Sequence, residues 1–364
     1  MPQAYSYLIK PASAACNLKC TYCFYNDVAD HRKTFSYGIM KNETVDELLS
    51  KTLNVKDGSE ITYAFQGGEP TLAGIAYFKT FISKVKELKK EHQVIHYAIQ
   101  TNGTLLNDEW ATLLKENDFL VGISLDGFSS NHNKYRISKV GQTFNQVMKG
   151  IQLLRDHQID FNVLTVLTEG LAQEPKKLFD FYQQEKFDHV QLIPCLPDFD
   201  LKENPDALTP QSFASFYKVF YDLWLKEYQK DHYISVGLFD NMIPMFIGVR
   251  PQMCGMLGNC SAQMVIESNG NVYPCDFYVL DQYVMGNINT DELSHLWKNT
   301  ILHEFLKEDK RMSSLCETCK FKNICHGNCK RMNIVYFDDE GYCGYQDFLE
   351  HAHHSMMDIA NKLK

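Results

Sequence analysis

Short apolar runs alternate along the first two thirds of the chain with stretches in which apolar residues recur every three or four positions. The runs predict strands at Tyr5–Lys10, Ile61–Gln66, Val94–Gln100, Leu120–Leu125, Asn162–Leu167 and His189–Pro194. The intervening periodicity predicts helices at Asn42–Leu53, Tyr77–Lys90, Asn107–Asn117, Thr143–Asp156, Glu174–Glu185 and Pro210–Gln229. Asn42 is placed to cap the first, with Glu43, Asp46 and Glu47 in its early turns. Phe78, Phe81, Ile82, Val85 and Leu88 fall on one face of the second. Six strand–helix repeats in series imply an α/β fold with parallel strands and right-handed crossovers. A doubly wound sheet and an incomplete (β/α) barrel both satisfy the pattern, and both place chemistry at the C-terminal strand ends.

The pattern changes at 235–250, near GLFDNMIPMFIGVRPQMCG, where turn formers return. This divides the chain into residues 1–235 and 236–364. The second part shows short strand-like pieces at Gln263–Glu267 and Asn271–Tyr273, a turn at Ser268–Gly270 and a cysteine-dense region. It ends in a predicted helix, Gln346–Leu363. Its apolar content looks thin for an independent core, so bound metal is expected to supply much of its stability.

The 364 residues are 45% apolar and 22% charged, ordinary for a globular chain. A formal charge of −9 argues against nucleic acid as a partner through the whole-molecule field. The N-terminus lacks a basic segment followed by an apolar run, and no stretch reaches 18 apolar residues, so neither export nor a membrane span is expected. A cytoplasmic location follows as the expectation. There the 12 cysteines point to metal or redox chemistry, because a reducing compartment disfavours structural disulfides.

Three cysteines form Cys16-x3-Cys20-x2-Cys23, directly after the first strand. Three thiolates on one tight loop can hold three irons of a cubane and leave the fourth open to a ligand. A closed tetrahedral zinc would need a fourth ligand, and only His31 lies near in sequence. CNLKCTYC resembles the signature of the radical S-adenosylmethionine (SAM) enzymes, whose open iron is chelated by the amino and carboxylate groups of SAM. That resemblance implies a partial (β/α)6 barrel. It also implies roles around SAM for Gly67, Gly68 and Glu69 of the QGGEP segment, for Ser124 and Arg136, and for Tyr22 and Leu196. A carboxylate suits the SAM ammonium and a guanidinium its carboxylate.

The remaining cysteines, apart from Cys195, fall at Cys254, Cys260, Cys275, Cys316, Cys319, Cys325, Cys329 and Cys343. Read generically, these spacings fit zinc or iron–sulfur ligands. The spacing from Cys260 onward resembles the SPASM extension of peptide-modifying radical SAM enzymes. The resemblance implies two fully ligated [4Fe–4S] clusters, three in all, one on Cys254, Cys260, Cys275 and Cys329 and the other on Cys316, Cys319, Cys325 and Cys343. Saturated clusters suit electron transfer. Cys195, left over, reads as a small buried hydrophobe.

Within that group, LIKPAS, AFQGGEPTLAG, QTNGTLL, FLVGISLDG, YPCDFYVLD and GNI resemble anaerobic sulfatase-maturating enzymes. The implied activity is oxidation of a cysteine or serine in a sulfatase polypeptide to Cα-formylglycine. A radical from SAM removes hydrogen from the target Cβ, after which a proton and an electron must leave. Asp276 matches the family's general base, and Gln66 and Tyr25 match positions near the target peptide. A low-potential donor such as flavodoxin or ferredoxin is the implied partner. The rival readings are another SPASM peptide modifier, forming a thioether or carbon–carbon crosslink or epimerising a residue, and a non-catalytic zinc or iron–sulfur module. The first rival commonly carries an N-terminal leader-binding domain, for which a cluster loop beginning at Cys16 is expected to leave no room.

Overall fold

The computed structural model describes residues 3–200 and 204–363. They form two compact units that interleave along the chain. One holds residues up to Ser124, Arg136–Phe161 and Ser261–Glu308; the other holds Leu125–Tyr135, Asn162–Cys260 and the residues from Asp309 onward. Among the described residues no helix is long and apolar enough to cross a membrane.

The first unit is built on parallel strands Ala4–Lys10, Glu60–Phe65, Val94–Thr101 and Phe119–Ser124, each within one or two residues of its predicted place. The register aligns Tyr7 with Tyr63, Tyr63 with Tyr97 and Tyr97 with Phe119. Their rings form a ladder with centroids 6.0, 6.4 and 5.0 Å apart. Such cross-strand aromatic pairs fix register as well as burying area. Helix Ile75–Leu88 covers this ladder through Phe78, Phe81, Ile82 and Val85, whereas Leu88, expected on the same face, is 46% exposed at the last turn. Asn42 is also not a cap: it is the first residue of helix Asn42–Thr52, and Lys41 occupies the cap position without a side-chain bond.

Residues 261–308 extend this sheet. Val265–Glu267 lies parallel to the first strand, with Lys10 opposite Glu267. Asn271–Tyr273 and Gly286–Asn287 follow antiparallel. The short pieces therefore gain a core by joining an existing one.

In the second unit, Phe161–Leu167, His189–Pro194 and Ser235–Val236 are parallel. Gly237–Met245, read above as turn-rich, is a helix that contains Pro244. Helix Pro210–Tyr228 packs against this helix and the terminal helix Gly344–Lys362. Phe213, Phe216, Phe220 and Trp224 meet Phe239 and Phe348 there in an aromatic core. The terminal helix is thus anchored by apolar burial.

Candidate active site

The first unit carries most of the expected site at the C-terminal ends of its strands. Cys16, Cys20 and Cys23 follow Ala4–Lys10, and Cys23 precedes helix Phe24–Asp30 as its cap. The loop is pinned by an antiparallel bridge between Leu18 and Ser138 and by the Lys19 N–H donating to Ile137 O (2.7 Å). This brings the loop beside Arg136, whose guanidinium lies 5.6 Å from the centre of the Tyr22 ring. Ser124 ends its strand and accepts from Gln100 Nε2 (3.1 Å).

The glycines of Gln66-Gly67-Gly68-Glu69 do something the sequence reading had not foreseen. The Gly68 N–H donates to Ser13 O and the Glu69 N–H to Ala15 O, both at 2.8 Å. A Cβ at Gly68 would overlap the Ala15 carbonyl and stand 2.7 Å from Ala14 C. The close approach is to the backbone leading into Cys16, so this turn and the cysteine loop are held as one piece.

Glu69 is 1% exposed. Its Oε1 accepts from Thr71 N–H (3.0 Å), Thr71 Oγ1 (2.6 Å) and Thr101 Oγ1 (2.7 Å), and Oε2 from Asn102 N–H (2.8 Å). Burial pushes its carboxyl above the ordinary range, while these neutral donors pull the other way. A carboxylate has about four acceptor sites, and Oε2 has one to spare for a further donor. An ammonium group is the ligand such a site favours, which fits SAM.

Asp276 lies in the same unit, directly after Cys275. Lys10 Nζ sits 2.5 Å from its Oδ1, Gln66 Nε2 donates to its Oδ2, and its N–H donates to Gln263 Oε1 (2.8 Å). Lys10 has no exposed side-chain surface and lies 3.7 Å from the centre of the Tyr25 ring. Tyr25 OH in turn donates to Glu267 Oε2 (2.7 Å), which also accepts from Arg32 Nη1 (2.7 Å). Gln66 and Tyr25, expected near a peptide, are thus also the neighbours of Asp276 and Lys10. The sequence reading missed Lys10, Arg32 and Glu267. A lysine at the buried end of a strand, in LIKPAS, was the available signal.

In the second unit the thiols of Cys316, Cys319, Cys325 and Cys343 lie within electrostatic reach of one another. Burial pushes Cys325 up to about 12, with Cys343, Cys316 and Cys319 adding to the rise. Cys343 is likewise raised, by burial first and then by Cys316 and Cys319. Cys325 and Cys343 therefore hold their protons more tightly than a free thiol, and a cationic iron–sulfur core would favour their thiolate forms. Sulfur acceptors are also supplied with donors, Asn328 Nδ2 to Cys325 Sγ (3.2 Å) and Gln346 N–H to Cys343 Sγ (3.4 Å). Gly255, next to Cys254, abuts Cys329: a Cβ there would stand 2.7 Å from Cys329 Cβ. Cys260 and Leu196 belong to this unit as well; Leu196 is 8% exposed. Cys195 is buried as expected, its thiol pushed up to about 12 by burial.

Comparisons with known proteins show the family of the chain. The Radical SAM superfamily matches residues 11–182, and an iron–sulfur cluster-binding domain, SPASM, matches residues 254–320. The chain is therefore a radical SAM enzyme with a SPASM extension, an α/β protein of the partial (β/α)6 barrel class. It is 38% identical to the cysteine-type anaerobic sulfatase-maturating enzyme of Clostridium perfringens (strain 13 / Type A), covering 99% of both chains. Against the serine-type enzyme of Bacteroides thetaiotaomicron it is 29% identical, covering 89% of this chain and 82% of the relative. The solved structure of native anSMEcpe with bound AdoMet and Cp18Cys peptide matches with a TM-score of 0.91 at 34% identity, over 100% of both chains. The chain belongs to the anaerobic sulfatase-maturating enzymes.

Proposed function

We propose that this enzyme oxidises a cysteine side chain of a sulfatase polypeptide to Cα-formylglycine. The observation that carries the reading is Asp276, next to the cluster ligand Cys275 and held on both oxygens by Lys10 and Gln66. Preference for cysteine over serine is supported by 38% identity with a cysteine-type enzyme against 29% with a serine-type one.

Cys16, Cys20 and Cys23 would hold the cluster that binds SAM. Cys254, Cys260, Cys275 and Cys329 would hold a second, and Cys316, Cys319, Cys325 and Cys343 a third. When bound, SAM and these clusters supply the one-electron chemistry that removes a Cβ hydrogen and carries the surplus electron away. Glu69 receives the SAM ammonium and Arg136 its carboxylate, with Gly67, Gly68, Tyr22, Ser124 and Leu196 lining the rest. Asp276 takes the proton of the target thiol, which a carboxylate with two unused acceptor sites can do. Loss of the Cβ hydrogen, that proton and one electron leaves a thioaldehyde. Water then hydrolyses it, supplying the aldehyde oxygen and releasing hydrogen sulfide. Gln66 faces the target, and the buried Tyr25 supports it from behind through Lys10. Residues 1–235 act as the barrel and 236–364 as the auxiliary-cluster part. A flavodoxin or ferredoxin supplies electrons in the cytoplasm.

Anaerobic incubation with SAM, a reductant and peptides containing Cys-x-Pro-x-Arg or Ser-x-Pro-x-Arg tests this. Mass spectrometry should find an aldehyde on the cysteine peptide. A crosslink or an unmodified peptide overturns the reaction, and faster conversion of the serine peptide overturns the preference.

A further inference from the structure

Lys310 points its ammonium into a cradle of backbone carbonyls. Its Nζ donates to Gly258 O (2.8 Å), His326 O and Asn328 O (3.3 Å). An ammonium has three N–H donors, so three acceptors match the charged form. A neutral amine would turn its lone pair toward one of these oxygens. The cradle is also shaped for this group. Gly258 has φ +69°, and a Cβ there would overlap His326 O and stand 2.7 Å from Lys310 Nζ; one at Gly327 would stand 3.0 Å away.

The three carbonyls belong to loops that carry cysteines of both auxiliary sets. Gly258 lies two residues before Cys260, His326 follows Cys325, and Asn328 precedes Cys329. Burial lowers the pKa of Lys310, opposed by the charges of Cys325, Cys260, Cys316 and Cys329. Two of those thiols belong to each set. A fixed cation at that place favours the more negatively charged, reduced form of a cluster on either.

We infer that Lys310 is a positioning residue that clamps the Gly258 and His326–Asn328 loops and, through its charge, raises the reduction potentials of both auxiliary clusters. The inference rests on the assignment of eight cysteines to two [4Fe–4S] clusters. Higher potentials make those clusters better acceptors for the electron that leaves the substrate.

The test uses the full chain with Cys16, Cys20 and Cys23 replaced by Ala, so that iron–sulfur signals come from the auxiliary clusters. In that background Lys310→Gln removes the charge and Lys310→Arg keeps it. Redox titration followed by electron paramagnetic resonance, with iron and sulfide analysis, reads both the potentials and the cluster content. Lys310→Gln should move both potentials lower, and Lys310→Arg should leave them near those of the parent. Incomplete assembly in the Gln variant does not obscure this, because the potential is read on the clusters that form. Unchanged potentials in Lys310→Gln, or equal shifts in both variants, overturn the inference. Absence of clusters from the parent overturns the ligand assignment itself, and the role of Lys310 with it.

Discussion

Lys10 and Asp276 meet at 2.5 Å, at the end of the first strand and the start of the turn after Cys275, 266 positions apart in the chain. Lys10 has no exposed side-chain surface and Asp276 keeps 12%. Lys10 and Gln66 fix which way the carboxylate faces, and under the function proposed above its residual opening would be where the target thiol proton arrives. A base held at a set angle is worth more than a freely rotating one, since proton transfer requires hydrogen-bond distance in the reacting geometry.

The pair predicts separate effects on the two halves of the reaction. Asp276→Asn should still cleave SAM but lose about 10²–10⁴-fold in aldehyde formation. Lys10→Met should lower aldehyde formation as well and also destabilise the fold by about 3–5 kcal/mol, because it leaves a carboxylate buried without its partner. Lys10→Met with Asp276→Asn should be more stable than Lys10→Met alone, since the orphaned charge is then gone. Chromatography of 5′-deoxyadenosine against aldehyde, with thermal unfolding of each variant, checks all three. Parallel loss of SAM cleavage and aldehyde in Asp276→Asn would remove it from the base role.

Gly68→Ala should damage the cluster loop without touching a cysteine. The added methyl collides with the Ala14–Ala15 backbone, which is not the far end of a flexible chain and cannot swing aside. The two loops must separate, breaking the Gly68–Ser13 and Glu69–Ala15 bonds. A loss of about 1–3 kcal/mol and reduced iron in the SAM-binding cluster are expected. Full iron content at unchanged stability would show that the turn can move independently.

What the sequence made legible follows the range of the signal. Strand alternation and helix periodicity are local, and the strands Ala4–Lys10 to His189–Pro194 fell close to their predicted places. Cys16-x3-Cys20-x2-Cys23 is likewise a pattern on one loop. The Lys10–Glu267 register was not legible, because a three-residue strand at Val265–Glu267 carries no mark of the partner it joins more than 250 positions away. Glu69 was singled out for its charge, but the Thr71, Thr101 and Asn102 donors around it come from a neighbouring turn and strand. The terminal helix was predicted, yet its dependence on the aromatic face of Pro210–Tyr228 required the packing to be seen.

Glu69 gives a pH dependence whose sign can be worked out. Burial raises its pKa in the folded protein above the ordinary value of about 4.3. Its contribution to stability is therefore present below the unfolded pKa and is lost as pH rises through the folded one. Binding a cationic ammonium reverses the preference, since it favours the carboxylate. SAM affinity should then be flat above the raised pKa and fall by up to about tenfold per pH unit below it, as binding must first displace a proton. Glu69→Gln has no such proton to displace. It should bind SAM more weakly at neutral pH, by about 2–5 kcal/mol for a lost buried charge partner, and its affinity should not follow the same slope. Equilibrium SAM binding to the anaerobically reconstituted protein, taken downward from neutral pH, separates the two. A matching slope in parent and variant would assign the titration elsewhere and leave the ammonium without Glu69 as its partner.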